Sequence, residues 1–291
     1  MVADLLQFLF AGLTIGAMYS LAALGFTLIY NASGVLNFAQ GEFIMLGGIN
    51  TVLLMAFGLP MYIAIPAAII LVMVVGMAVA KFAIEPAGNA ESITLVIITI
   101  GASLILRGLV QVFVGKKTYA IPAFSGETPI QFFGATILPQ TLWVLAITAV
   151  MVAALVWFMN KTWPGKSLLA TSQNKLAASF VGVNTKRALL LAFALSAGLG
   201  AAGGILVGPI TYASYDIGTV LGLKGFVAAA LGGMGSGPGA VVGGLLLGVL
   251  ESLTAGYISS AYKDAMPFVL ILLIFIFKPD GILGKKSMDR V

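Results

Sequence analysis

Apolar residues run along this chain in long blocks, and the polar residues gather at the joints between them. A helix crosses the hydrocarbon of a bilayer with about 20 residues. On that rule 5–30, 43–57, 61–80, 93–114, 138–159, 188–209, 241–257 and 265–277 are candidate crossings, and 221–231 is a half-length apolar piece between glycine-rich turns. The pattern predicts an all-α polytopic membrane protein with about eight transmembrane helices plus a broken or re-entrant helix. It reads as one transmembrane domain over 1–291. The first block has no basic flank and outruns the roughly 7–15-residue core of a secretory signal. It reads as an uncleaved first helix.

Composition agrees with the pattern. Hydrophobic residues make up 60% and charged residues 9%, with mean hydropathy +1.10. A soluble domain carries about 25% charged residues to cover its wet surface. With no cysteine and no histidine, disulfides, thiolate or imidazole metal sites and serine-histidine triads are excluded. The net charge of +5 follows from topology and gives no reason to expect a nucleic-acid partner. Basic residues mark cytoplasmic loops. The loop 160–187 holds Lys161, Lys166, Lys175, Lys186 and Arg187 without an acid, and the tail holds Lys278, Lys285, Lys286 and Arg290. Both are expected in the cytoplasm. Counting back through the crossings places 81–91 inside, and 116–138 and the N-terminus outside. Lys116 and Lys117 then lie on the less basic side.

Glycine supplies 36 of 291 residues, many at helical spacing, as small residues must be where membrane helices pack closely. Gly12 and Gly16 form one such pair; Gly198 to Gly208 and Gly239 to Gly248 form two richer stretches. A weak echo links GEFIMLGG at 41–48 with GFVAAALGG at 225–233. Transporters are often built from such repeats, with interrupted helices near the midplane. Two nucleotide-like stretches fail on context. GKS at 165–167 has Asn160 where a phosphate loop needs its first glycine, and GGMGSGPGA at 232–240 lacks a Rossmann unit's strand and distant acid. Any ATP-driven step belongs to another chain.

Ionisable residues inside a membrane are costly and mark candidate sites. Glu42, Arg107, Lys224 and Glu251 qualify. For Glu42 and Glu251 the readings are a solute pathway or a helix–helix hydrogen bond; for Arg107, a structural contact is favoured. Lys224 opens the half-length piece and is expected to face water beside the bundle. Lys263 and Asp264 are read as marking the interface before the last crossing. Asn37 and Gln40 precede the 43–57 block, either lining a cavity or capping that helix. In the basic loop, Ala177, Ala178 and Gly182 fit a short amphipathic helix closed by a glycine, with an ordinary solvated loop as the alternative.

Four stretches carry a resemblance: LGFTLIYNASGVLNFAQGEFIMLGG, PGKSLLATSQNKLAASFVGVNTKR, GLKGFVAAALGGMGSGPGAVVGGLLLGVLES and YKDAMPFVLILLIFIFKPDGILG. Together they resemble the LivH-like permease subunits of high-affinity branched-chain amino-acid ABC importers, in order and spacing, from about Gly12 to Gly284. The resemblance implies a multi-pass bacterial inner-membrane subunit that translocates branched-chain or related amino acids by ATP-driven alternating access. It implies as partners a second homologous permease, two ABC ATPases that bind ATP and Mg, and a periplasmic solute-binding protein. No cofactor and no catalytic residue are expected on this chain. Asn37, Gln40, Glu42, Lys224 and Glu251 are then expected along the substrate pathway. Leu176, Ala177, Ala178, Gly182 and Val183 are expected at the ATPase coupling segment, with Leu176 where the family pattern has glutamate. Gln40 stands where relatives often carry histidine. An ion-coupled secondary transporter is the alternative class, and urea, amides or aromatic acids are alternative solutes.

Overall fold

The computed structural model describes residues 2–284 except 89, 127 and 133. Lys285, Lys286 and Arg290 of the basic tail therefore lie outside the described residues. The helices are α1 (Val2–Ser33), α2 (Gln40–Ala56), α3 (Met61–Val79), α4 (Ser92–Phe113), α5 (Pro139–Lys161), α6 (Trp163–Gln173), α7 (Lys175–Phe180), α8 (Thr185–Thr211), α9 (Ile217–Gly232), α10 (Gly237–Tyr257) and α11 (Met266–Phe277). One π turn, Ala80–Ile84, extends α3, and Ile130–Phe132 pairs with Ala135–Ile137 as an antiparallel hairpin. The fold is all-α and polytopic; the hairpin is an addition that the hydropathy pattern gave no sign of.

Among the described residues six helices are long and apolar enough to cross a bilayer, while α2, α9 and α11 are shorter. Hydropathy registers how apolar a block is, not where it starts. α2 begins inside the protein, where unpaired backbone ends can be buried against other helices, and α9 meets it through the buried Gly218 of its first turn. Two segments outside the long helices also fold: 163–173 forms α6 within the basic loop, and amides of Ile282 and Leu283 bond Leu231 and Gly232 carbonyls at 2.9 Å. The second contact satisfies carbonyls left open at the end of α9.

Helix α1 and helix α8 form the centre, largely buried, with α4 and α5 mostly exposed at the periphery. They run antiparallel, since Ala32 near the end of α1 clusters with Ala188 and Ala192 near the start of α8. The two ends of the bundle carry different loops. At one end Lys186 pairs with Glu85 at 3.0 Å. At the other, Gln7 Oε1 accepts the Thr136 amide at 2.7 Å and Phe10 meets Phe132 edge-on. The basic loop and the 81–91 segment thus share an end, and the hairpin shares the opposite end with the N-terminus.

The packing repeats itself upside down. α1 packs on α10 and α9 as α8 packs on α3 and α2, and α9 meets α10 as α2 meets α3. The order α1–α2–α3 therefore maps onto α8–α9–α10, inverted because α1 and α8 are antiparallel. The sequence echo named the right helix pair, α2 and α9, in the wrong register. The helices start at Gln40 and Ile217, so Gly41 corresponds to Gly218, not to Gly225.

Glycines set the distance between these helices. A Cβ on Gly248 would collide with the Gly16 backbone, and one on Gly244 with Ser20, so α1 and α10 touch backbone to backbone. A Cβ on Gly101 of α4 would meet nothing within 4 Å. Gly248→Val should therefore lower the unfolding temperature in detergent, by the roughly 1–3 kcal/mol of an overpacked core. Gly101→Val should change it little, and equal shifts for the two would refute the backbone contact.

Candidate functional site

The polar residues fall into two neighbourhoods, one on each side of α9. The first begins where α1 ends and the chain turns at Gly34, which has φ +73°. Asn37 Oδ1 accepts the Ala39 amide at 3.1 Å, and the Phe38 amide donates to Thr99 Oγ1 at 3.2 Å. These bonds hold the connection against α4 and deliver α2 with Gln40 in its first turn. Gln40 Nε2 donates to the Ser196 carbonyl at 3.1 Å, and its Oε1 accepts from the Ser196 hydroxyl. Glu42 Oε1 accepts from Ser103 Oγ at 2.9 Å.

Asn37, Gln40 and Glu42 are each buried to within 1% of full enclosure. The capping alternative is not what the structure has. The residue before α2 is Ala39 with no side-chain cap bond, Asn37 orders the turn, and Gln40 ties α2 to α8. Asn37 Nδ2 and Glu42 Oε2 have no hydrogen-bond partner among the described residues. Gly41 abuts Gly218 and Gly222 of α9, so the starts of the two half-length helices meet there. A carboxylate in the first turn of α2 sits at the positive end of the helix dipole. Arg107 of α4 reaches across to Thr219 Oγ1 at 2.7 Å, a structural contact between α4 and α9.

The second neighbourhood holds Lys224 and Glu251. Lys224 is buried, not water-facing beside the bundle as its position at the opening of an apolar piece suggested. Its Nζ lies 2.6 Å from Glu251 Oε1 and 2.7 Å from Asp264 Oδ1. Tyr19 donates its hydroxyl to Glu251 Oε2 at 2.8 Å, and Lys224 Nζ sits 5.9 Å from the Tyr19 ring centroid. The hydrogen bond from Lys224 holds the Asp264 carboxyl below its ordinary value. Asp264 was read as an interface marker; it is the second counter-ion of Lys224. Glu42 and Glu251 are not brought together: they contact different partners on opposite sides of α9. Sequence reasoning missed Tyr19, Ser103, Ser196 and this role of Asp264, since a tyrosine or serine in an apolar block carries no signal of its partner.

The basic loop folds as α6 and α7. Thr162 caps α6 by accepting the Gly165 amide, and Asn174 caps α7 by accepting the Ala177 amide. Gly182 closes α7 at φ +86°, with the Val183 amide bonded to the Ala178 carbonyl at 3.0 Å. This is the left-handed closure that glycine allows without strain. The side chains divide by face. Leu176, Phe180 and Val181 are exposed, as is Ala177, while Ala178 is buried against its own chain. The small size of Ala178 serves packing within the chain.

Residues 8–275 match the family model described as the branched-chain amino acid transport system permease component. The chain belongs to the branched-chain amino-acid permease family. It is 34% identical over 301 aligned positions to the high-affinity branched-chain amino acid transport system permease protein LivH of Salmonella typhimurium, covering 98% of this chain and 97% of that protein. Similarity to the permease protein BraD of Pseudomonas aeruginosa is 33%, over 98% of each chain. A more distant relative is the ribose import permease protein RbsC of Haemophilus influenzae, at 23% identity over 92% of this chain and 83% of that protein.

In this branched-chain permease-family member both neighbourhoods make checkable energetic statements. Lys224→Met strands Glu251 as a buried charge without a cation, which costs about 3–5 kcal/mol. Adding Glu251→Leu should restore most of that loss, as read by thermal unfolding in detergent. A double variant no better than the single one would show that the pair is not what Lys224 supports. Glu42→Leu leaves the Ser103 hydroxyl without its acceptor, at about 1–3 kcal/mol. The protein should still insert at parental levels while solute uptake falls, and unchanged uptake kinetics would remove Glu42 from the site.

Proposed function

We propose that the chain is the membrane-spanning permease subunit of an ABC importer that carries branched-chain or related amino acids across the bacterial inner membrane. In this reading it pairs with a second homologous permease and two ABC ATPases that bind ATP and Mg, and receives solute from a periplasmic binding protein. This chain's part is mechanical: it opens to one side of the membrane, then the other.

The observation that best supports this reading, beyond family membership, is α7. A six-residue helix in a basic loop presents Leu176, Phe180 and Val181 to solvent, an apolar ridge with no use inside this chain. Such a ridge suits the groove of an ATPase subunit, and Gly182 fixes the turn behind it. The solute path runs, on this reading, along the α2–α9 pair with its polar neighbours. Between α1, α2, α8 and α9 a cavity of ≈ 10 Å³ is lined by Met18, Ile44, Met45 and Leu221, about one water's worth. Passage of an amino acid requires these helices to separate. The inverted relation of α1–α3 to α8–α10 gives two similar units that can rock against each other.

Phe180→Glu should keep membrane insertion yet abolish recovery of the ATPases in a pull-down. Gly182→Val should weaken it, because a β-branched residue at positive φ costs roughly 1–2 kcal/mol although its side chain has open space. The complex in liposomes should take up leucine only with ATP inside and a binding protein outside, and vanadate should stop it. Uptake by this chain alone, driven by a proton or sodium gradient, would favour the ion-coupled reading instead.

A further inference from the structure

The Lys224 cluster contains one more charge than it needs. Lys224 and Glu251 satisfy each other in a site where both side chains are 7% exposed, with Tyr19 holding the second Glu251 oxygen. Asp264 adds a second carboxylate to the same ammonium, yet its side chain is 64% exposed. The two counter-ions are held very differently. Glu251 is locked in α10 by two hydrogen bonds; Asp264 lies on the short irregular connection between α10 and α11. Nothing in the balance of the Lys224–Glu251 pair requires Asp264.

Depth makes this exposure informative. Glu251 lies roughly 9 Å inside the Tyr257 end of α10, and Asp264 reaches the same ammonium. Helix α11 has 12 residues, about 18 Å against about 30 Å of hydrocarbon. The connection before it brings Asp264 to the ammonium. An exposed carboxylate is costly against lipid, so the Asp264 side of the pair faces water or protein. Val220 and Leu223, close to Lys224 along α9, are exposed as well.

We propose that Lys224 and Asp264 form the binding site for the charged head group of an α-amino acid zwitterion within the permease. The ion pair opens, the solute carboxylate takes the place of Asp264 on Lys224, and the solute ammonium binds the released Asp264 carboxylate. The chemistry selects this class. Opening the Lys224–Asp264 pair leaves one ammonium and one carboxylate each short of a contact. A zwitterion replaces both lost contacts at once, a simple anion or cation replaces one, and neutral solutes such as urea or a sugar replace neither. Glu251 and Tyr19 are positioning residues that keep the ammonium in place while Asp264 moves.

This inference rests on the reading of the chain as an importer permease, and the test separates the two. The complete complex with ATPases and binding protein is placed in liposomes, and leucine uptake and ATP turnover are measured together. Asp264→Asn leaves the Lys224–Glu251 pair intact. It should keep assembly and ATP turnover stimulated by loaded binding protein, yet lower the leucine carried per ATP at least tenfold, and Asp264→Glu should recover most of that ratio. As the chain has no cysteine, Val220→Cys and Leu223→Cys provide two independent reporters beside Lys224 for an impermeant thiol reagent. Leucine should slow labelling of at least one reporter, while leucinol and 4-methylpentanoate, each lacking one charge, should not. That protection should vanish when Asp264→Asn is added. An unchanged leucine-to-ATP ratio in Asp264→Asn, equal protection by the single-charge analogues, or no labelling at either reporter would overturn the proposal. If the parent complex carries no leucine at all, the importer reading itself fails, whereas leucine transport indifferent to Asp264 sinks only this site.

Discussion

The contact of Gly41 with Gly218 and Gly222 is the constraint on which the rest of this bundle depends. A helix that starts within the bilayer has unpaired amides at its first turn, and hydrocarbon offers them no partner. Two such starts are tolerable when they are buried against each other and against protein. Only glycine lets the α2 and α9 backbones come this close. Any side chain at Gly41 would push α9 away from α1, α10 and the residues it carries.

From that crossing the polar chemistry follows. The start of α2 delivers Gln40 to Ser196 and Glu42 to Ser103. Six residues beyond Gly218, α9 delivers Lys224 to Glu251 and Asp264. The first group consists of hydroxyl and amide contacts around one carboxylate, the second of an ion pair with an extra acid. Because the two short helices touch at Gly41 and Gly218, a shift of α9 against α2 would alter both together. That coupling comes from covalent continuity and close packing, with no need for a longer chain of intermediates. The inverted arrangement of α1–α3 and α8–α10 supports each short helix on the same pattern of neighbours, so neither half holds the crossing alone.

The basic loop is built differently. Helix α7 is too short to be stable by itself, and it is held by Asn174 at its start, Gly182 at its end and Ala178 packed inward. Its apolar ridge is left outward at the same end of the bundle as the start of α8. Gly182 to Asn184 join α7 to α8, the helix that also carries Ser196 and so touches Gln40.

What the sequence determined by itself was the part set by local composition. The apolar blocks fixed an all-α membrane protein, the glycine spacing pointed to close helix packing at Gly12 and Gly16, and the basic loop separated one end from the other. Asn37, Gln40, Glu42, Lys224 and Glu251 were visible as polar residues where lipid forbids them. Their partners were decided only by the tertiary structure. Lys224 meets Asp264 forty positions away, Tyr19 meets Glu251 across 232, and no local pattern encodes such pairings. The short starts of α2 and α9 were hidden for the same reason: hydropathy averages over a window, whereas a helix end buried at depth is made possible by the backbone of another helix that happens to pass there.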